Sequence, residues 1–240
     1  FLARLVVAGE PIGIVDNNAP ENLRGAVITI AGHDHFTAAY YCGAINEGSL
    51  FDSMGTAEAL LRTFKAPLTR DAIAELAAAN VGLSCSVIAD HYTLLGALPT
   101  GLTLERACAL VGVSTREEKI ALGSAALAID PNASAMRVVN DYHGLSVTNL
   151  DDAVSPAALF RATVEHLVDD SAEMIALIEK YTGKANNVVI AGGWIKNPLI
   201  AFAKEQQFGK YRVSDATEAG ATGAAEFAGV AAGRFKLKSN

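Results

Sequence analysis

The chain has 240 residues, a formal net charge of −7 at pH 7 and a sequence pI of about 5.2. With 51% hydrophobic and 19% charged residues it is a folded, core-rich protein, and its acidic balance without a clustered basic face argues against a nucleic-acid partner. No apolar stretch approaches the roughly 20 residues that span a bilayer, so no membrane partner is expected. ATP stays compatible with this charge, because backbone N–H groups can cradle a phosphate.

Cys42, Cys85 and Cys108 are far apart and form no CxxC pair. They read as reduced core thiols and point to a cytoplasmic location. Asn132-Ala133-Ser134 matches a glycosylation sequon by coincidence.

In chain order, two apolar segments, 2–7 and 11–15, are separated by Gly9-Glu10 and followed by a turn-forming cluster from Asp16 to Pro20. The run Ala26 to Ile30 reads as a short buried strand. Gly32 then turns the chain sharply, and 36–45 reads as a helix. Asp34 is thereby expected at a strand's carboxyl end, facing a helix amino terminus, where open α/β sheets bind ligands. A carboxylate there can take a proton from a substrate hydroxyl, or simply cap the helix. His33 and His35 flank it. Two residues apart on a strand, they would share a face and could reach one metal ion; they could equally orient Asp34 or contact sugar hydroxyls. The turn Ser53-Met54-Gly55-Thr56 offers backbone N–H groups to a phosphate.

Residues 57–80, rich in Ala and Leu, read as helix with a break at Pro67 and a restart near Thr69. Strand-like runs follow at 81–89 and 92–98, then a Thr100-Gly101 turn and a short helix over 102–111. Thr115 with Glu117-Glu118 starts another helix. No site is expected in this middle third. The segments 136–139 and 145–150 flank Asp141-Tyr142-His143-Gly144 as a hairpin or a loop insertion. The strongest helix has Ser155 as N-cap, Pro156 in its first position, an apolar stripe from Phe160 to Ile178 and a stop near Gly183.

Asn187 to Ala191 is a buried strand running into Gly192-Gly193. Paired glycines let backbone approach a ligand, and a helix from about Lys196 presents free N–H groups there. Asn197 offers a donor and an acceptor to a ribose or an adenine edge. Trp194 either stacks on a base or packs inward. The Gly/Ala-rich helix over 217–232 implies a very close neighbour, either the glycine turn with its nucleotide or another helix. The tail from Arg234 to Lys238 reads as a solvated end.

Four ordered stretches, Gly32-His33-Asp34, Ser53-Met54-Gly55-Thr56, Ala191-Gly192-Gly193-Trp194-Ile195-Lys196-Asn197-Pro198 and Ala216 to Ala225, resemble the FGGY family of carbohydrate kinases. The resemblance implies an α/β fold, an actin-like, ribonuclease H-like ATPase lobe with a mixed sheet and flanking helices. It covers only the carboxyl-terminal part of such a kinase. Residues 1–45 would end the amino-terminal, sugar-binding lobe, and 46–240 would form the nucleotide-binding lobe. The implied reaction is ATP-dependent phosphorylation of a ketose or polyol hydroxyl with Mg2+. Asp34 would be the base, Gly55 and Thr56 would hold the transferring phosphate, and Gly192, Gly193 and Asn197 would hold the adenosine. The partners would be a small-molecule sugar and the missing amino-terminal lobe, which carries an Asp-Gly-Thr phosphate loop in the family; a homodimer stays open. Alone, the chain is expected to keep a nucleotide half-site and lose turnover. The alternatives are a non-catalytic nucleotide-binding module and a metal-dependent hydrolase using His33 and His35.

Overall fold

The chain begins with an antiparallel ribbon, β1 (Gly13–Ile14) paired with β2 (Val27–Ile28). The strand expected to be buried over 26–30 is therefore only two residues long, with Val27 partly buried and Ile28 exposed, because among the described residues its single strand partner is β1. The structure, a computed structural model, describes residues 4–131, 133, 135–140, 144–150 and 154–237. The loop over Asp141-Tyr142-His143, the sequon's Asn132 and Ser134, and the tail's Lys238 lie outside the described residues.

Gly32 adopts a φ of +108°, and the chain enters α1 (Asp34–Tyr41). A hairpin follows, β3 (Ser49–Met54) and β4 (Glu58–Phe64), both almost wholly buried. The helix expected from residue 57 is thus a strand up to Phe64. Buried on both faces, it shows none of the alternation that marks a half-exposed strand, and its Ala and Leu mimic a helix. The restart is as expected: Thr69 caps α2 (Arg70–Ala78), its hydroxyl accepting from the Ala72 N–H at 3.2 Å. The next hairpin, β5 (Val81–Cys85) and β6 (Tyr92–Leu98), adds two antiparallel strands and leaves Cys85 exposed, unlike the buried Cys42 and Cys108.

Helix α3 (Thr100–Leu110) begins at the expected turn, and α4 (Arg116–Leu127) follows with a full Thr115–Glu118 capping box. The small hairpin β7 (Arg137–Asn140) and β8 (Leu145–Thr148) leads to α5 (Pro156–Thr182), capped by Ser155 and ended by Gly183 at φ +74° as its sequence predicts. Then come β9 (Asn187–Gly192), a short 3-10 turn over Trp194–Lys196, α6 (Pro198–Phe208), β10 (Arg212–Val213) and α7 (Ala219–Ala231).

The six-stranded sheet has the order β10-β9-β3-β4-β6-β5. Strands β10, β9 and β3 run parallel, while β3, β4, β6 and β5 pair antiparallel, with β6 inside and β5 at the edge. This mixed sheet flanked by helices is the expected actin-like α/β arrangement. One face packs Leu50, Leu60, Leu94 and Ile190 against α5 and α6; the other packs Phe51, Leu61 and Val189 against α1 and α7. The close neighbour demanded by the glycines of α7 is another helix. A Cβ on Gly223 would collide with the Thr37 carbonyl oxygen of α1, and Thr37 Oγ1 donates to Gly220 O at 3.1 Å.

Candidate functional site

Strands β3 and β9 end side by side, with Ser53 beside Ala191 and Met54 beside Gly192. Residue 192 must be glycine: its φ is +107°, and a Cβ would run into the Met54 backbone. Two clefts open at this edge.

The first, about 330 Å³, is lined by Asp34 and His35 of α1, Ser53, Gly192 and the start of α7 at 216–221. The second, about 300 Å³, is lined by Glu105 of α3, Arg116 and Lys119 of α4, and Gly193, Trp194, Lys196 and Asn197. The glycine pair is divided between them, Gly192 in one and Gly193 in the other.

Asp34 is the first residue of α1, and its side chain is 80% exposed. Its Oδ1 accepts the His35 N–H at 2.8 Å and lies 2.9 Å from His33 Nδ1. The carboxylate is therefore both a helix-start anion and an open acceptor at the cleft. His33 is the N-cap, and the two imidazoles stack at 5.6 Å. Burial draws the His35 imidazole below the usual histidine range, outweighing the opposite pull of Asp34. The strand geometry behind a shared metal ion is not found, because these histidines stand at a helix start. Among the described residues no group of three or more His, Cys, Asp or Glu could hold a metal.

Gly55 and Thr56 lie in the turn of the β3–β4 hairpin, just beyond the Met54 that pairs with Gly192, and line neither cleft. The Gly55 N–H already donates to Ala57 O at 3.0 Å, and Thr56 O accepts from the Leu102 N–H at 2.8 Å. Asn197 is 3% exposed and internally engaged. Its Oδ1 accepts from the Leu199 and Ile200 N–H groups at the start of α6, while its Nδ2 donates to Lys119 O at 2.8 Å. It builds the cleft wall by joining α6 to α4, with its oxygen and one N–H engaged in that joint.

Trp194 is half-buried and faces the second cleft, with Lys119 Nζ 5.5 Å from its ring centroid. Lys119 is paired with Glu105 at 2.7 Å. The middle third of the chain, expected to carry no site, thus supplies Glu105, Arg116 and Lys119. No local pattern marks them, since only the packing of α4 against α6 brings them to Trp194.

No protein-family model matches the chain, and no curated protein matches it. Solved structures do. The chain is similar to glycerol kinase from Plasmodium falciparum with ADP (17% identity, TM-score 0.76, covering 96% of this chain and 47% of that one). It is similar also to ligand-bound xylulose kinase (16%, TM-score 0.78, 95% and 48%) and to gluconate kinase (15%, TM-score 0.78, 95% and 48%), both from Lactobacillus acidophilus. The chain therefore spans about half the length of these enzymes. Among the described residues no helix is long and apolar enough to cross a membrane. The resemblance to FGGY carbohydrate kinases read from the sequence holds at the level of fold: the chain has the fold of the carboxyl-terminal half of these sugar kinases.

Proposed function

We propose that this chain is the nucleotide-binding part of an FGGY-type sugar kinase, transferring the terminal phosphoryl group of ATP to a ketose or polyol hydroxyl. The observation that carries this reading is the division of Gly192 and Gly193 between two adjoining clefts. A nucleotide lying across bare glycine backbone would put its base beside Trp194 and its phosphates toward the amino termini of α1 and α7. Arg116 and Lys196, beside the Lys119–Glu105 pair, give the base cleft a net cationic rim suited to an anionic ligand.

In the reaction the acceptor oxygen bonds to the terminal phosphorus, the bond to the ADP oxygen breaks, and the hydroxyl proton passes to Asp34. That carboxylate is exposed, anchored to the His35 N–H and open to a sugar arriving over the first cleft. Such catalysis depends on positioning between two closing lobes. His33 and His35 would orient Asp34 or meet sugar hydroxyls. Gly55 and Thr56 would border the phosphate through their backbone, and Asn197 would act through the wall it builds. Mg2+ would be held mainly by the nucleotide, since the described residues gather no ligand cluster of their own.

The remaining sugar contacts and an Asp-Gly-Thr loop would come from an amino-terminal lobe ending near residue 45. Leu5, Val7, Ile12, Ile14, Ile28 and Ile30 stand exposed on the segment that would pack into the rest of that lobe. Calorimetric titration of the chain with Mg·ADP tests the reading. Saturable binding weakened by Lys119→Ala and by Lys196→Ala is expected; no saturable heat would overturn it.

A further inference from the structure

A charged group lies under the hairpin that ends in Gly55-Thr56, on the sheet face opposite α1. Alternation along β3 turns Ser53 toward the first cleft and Asp52 away from it, toward α6. There Lys204 Nζ lies 2.8 Å from Asp52 Oδ2 and 2.6 Å from Glu58 Oε1. Ser171 of α5 and Thr100 of α3 donate to the two oxygens of Glu58 at 2.9 and 2.7 Å. All five side chains are at most 3% exposed.

The placement is specific. Asp52 is on one arm of the hairpin and Glu58 on the other, with the turn 55–57 between them. One ammonium from a helix on the far side of the sheet therefore pairs with both arms. The tip is fastened as well, by the Leu102 N–H on Thr56 O, and Gly101 lets α3 come close enough because a Cβ there would collide with Gly55 O. Burying three charged groups is costly, and well-packed apolar residues often serve stability as well. Burial works against the Lys204 charge, yet Asp52 and Glu58 hold its pKa above the ordinary lysine range. The ammonium stays charged, so it can reach both arms at once, Glu58 on one and the Asp52 carboxyl, itself pushed up to about 7, on the other.

We infer that Lys204 is a positioning residue: through Asp52 and Glu58 it fixes the β3–β4 turn in the geometry that receives the nucleotide's phosphates. This rests on the nucleotide-binding reading for its purpose, while the fixing of the turn is measurable without any ligand.

The test uses the 240-residue chain, Lys204→Met, and the double variant Asp52→Leu with Lys204→Met. The double variant replaces the ion pair by apolar groups and leaves Glu58 its two hydroxyl donors. Leu76→Ala, a core change on α2, controls for a general loss of stability. Hydrogen exchange at the Gly55 and Leu102 amides reports on the turn, and Mg·ADP titration reports on binding. The double variant should recover much of the urea resistance lost in Lys204→Met. It should nonetheless exchange both amides about tenfold faster than the unmodified chain and bind Mg·ADP about tenfold more weakly. Leu76→Ala should lose stability without either local effect. If the double variant keeps the original exchange at both amides, Lys204 serves packing alone and the inference is overturned. If the unmodified chain binds no Mg·ADP, the nucleotide reading fails, and the exchange rates still decide whether Lys204 holds the turn.

Discussion

Gly192 lies directly beside Met54 in parallel register, so close that a Cβ on residue 192 would meet the Met54 carbonyl. With φ at +107°, Gly192→Ala must shift either strand end and is expected to cost about 1–3 kcal/mol. Gly193 has φ −77° and nothing within 4 Å of where its Cβ would stand, so Gly193→Ala should change stability by under about 0.5 kcal/mol. Urea unfolding of both variants checks this contrast; equal losses would refute the strand-end argument. Mg·ADP affinity should fall in Gly192→Ala.

Asn197→Ala should destabilise the chain by about 1–2 kcal/mol, because it removes the cap of α6 and its bond to Lys119 O together. Asn197→Ser keeps a capping oxygen and should recover part of that loss. Any fall in nucleotide affinity should follow the stability loss, since the amide is buried with its oxygen on the α6 N–H groups and one N–H on Lys119 O. A large affinity loss at full stability would instead indicate direct contact with the ligand.

Asp52 is fully buried; burial pushes its carboxyl up to about 7, the Lys204 charge opposing the rise. A folded-state value above the ordinary 3.8 means the folded chain holds a proton that the unfolded chain has released. This contribution to stability is complete below about pH 4 and lost as the pH rises through about 7. Urea midpoints of the unmodified chain should therefore decline across that window relative to Asp52→Asn, which has no such titration. Parallel pH profiles would contradict this.

Asp34→Asn should leave stability within about 0.3–1 kcal/mol, as the carboxylate is exposed at a helix start. In a preparation that also supplies the amino-terminal lobe, the same change should lower sugar-dependent ADP release by about 10²–10⁴-fold. The chain alone is expected to bind Mg·ADP without turnover. Release of ADP with a ketose or polyol above an Asp34→Asn control would overturn the two-lobe requirement.

Local chemistry determined part of this protein before any folding. The Ser155-Pro156 start and Gly183 stop of α5, the Thr115–Glu118 box of α4 and the glycine pair after β9 are short-range devices, so their sequences suffice to read them. What depends on contacts distant in sequence was decided only by tertiary structure. Residues 58–64 became a strand because layers cover both faces of the sheet, although their Ala and Leu favour a helix. The chain likewise could not announce that Glu105, Arg116 and Lys119 line a cleft with Trp194, or that Lys204 reaches Asp52 from 152 positions away in the sequence. Charges scattered along helices look like solvated surface until packing removes water and fixes their partners, and that step belongs to the fold as a whole.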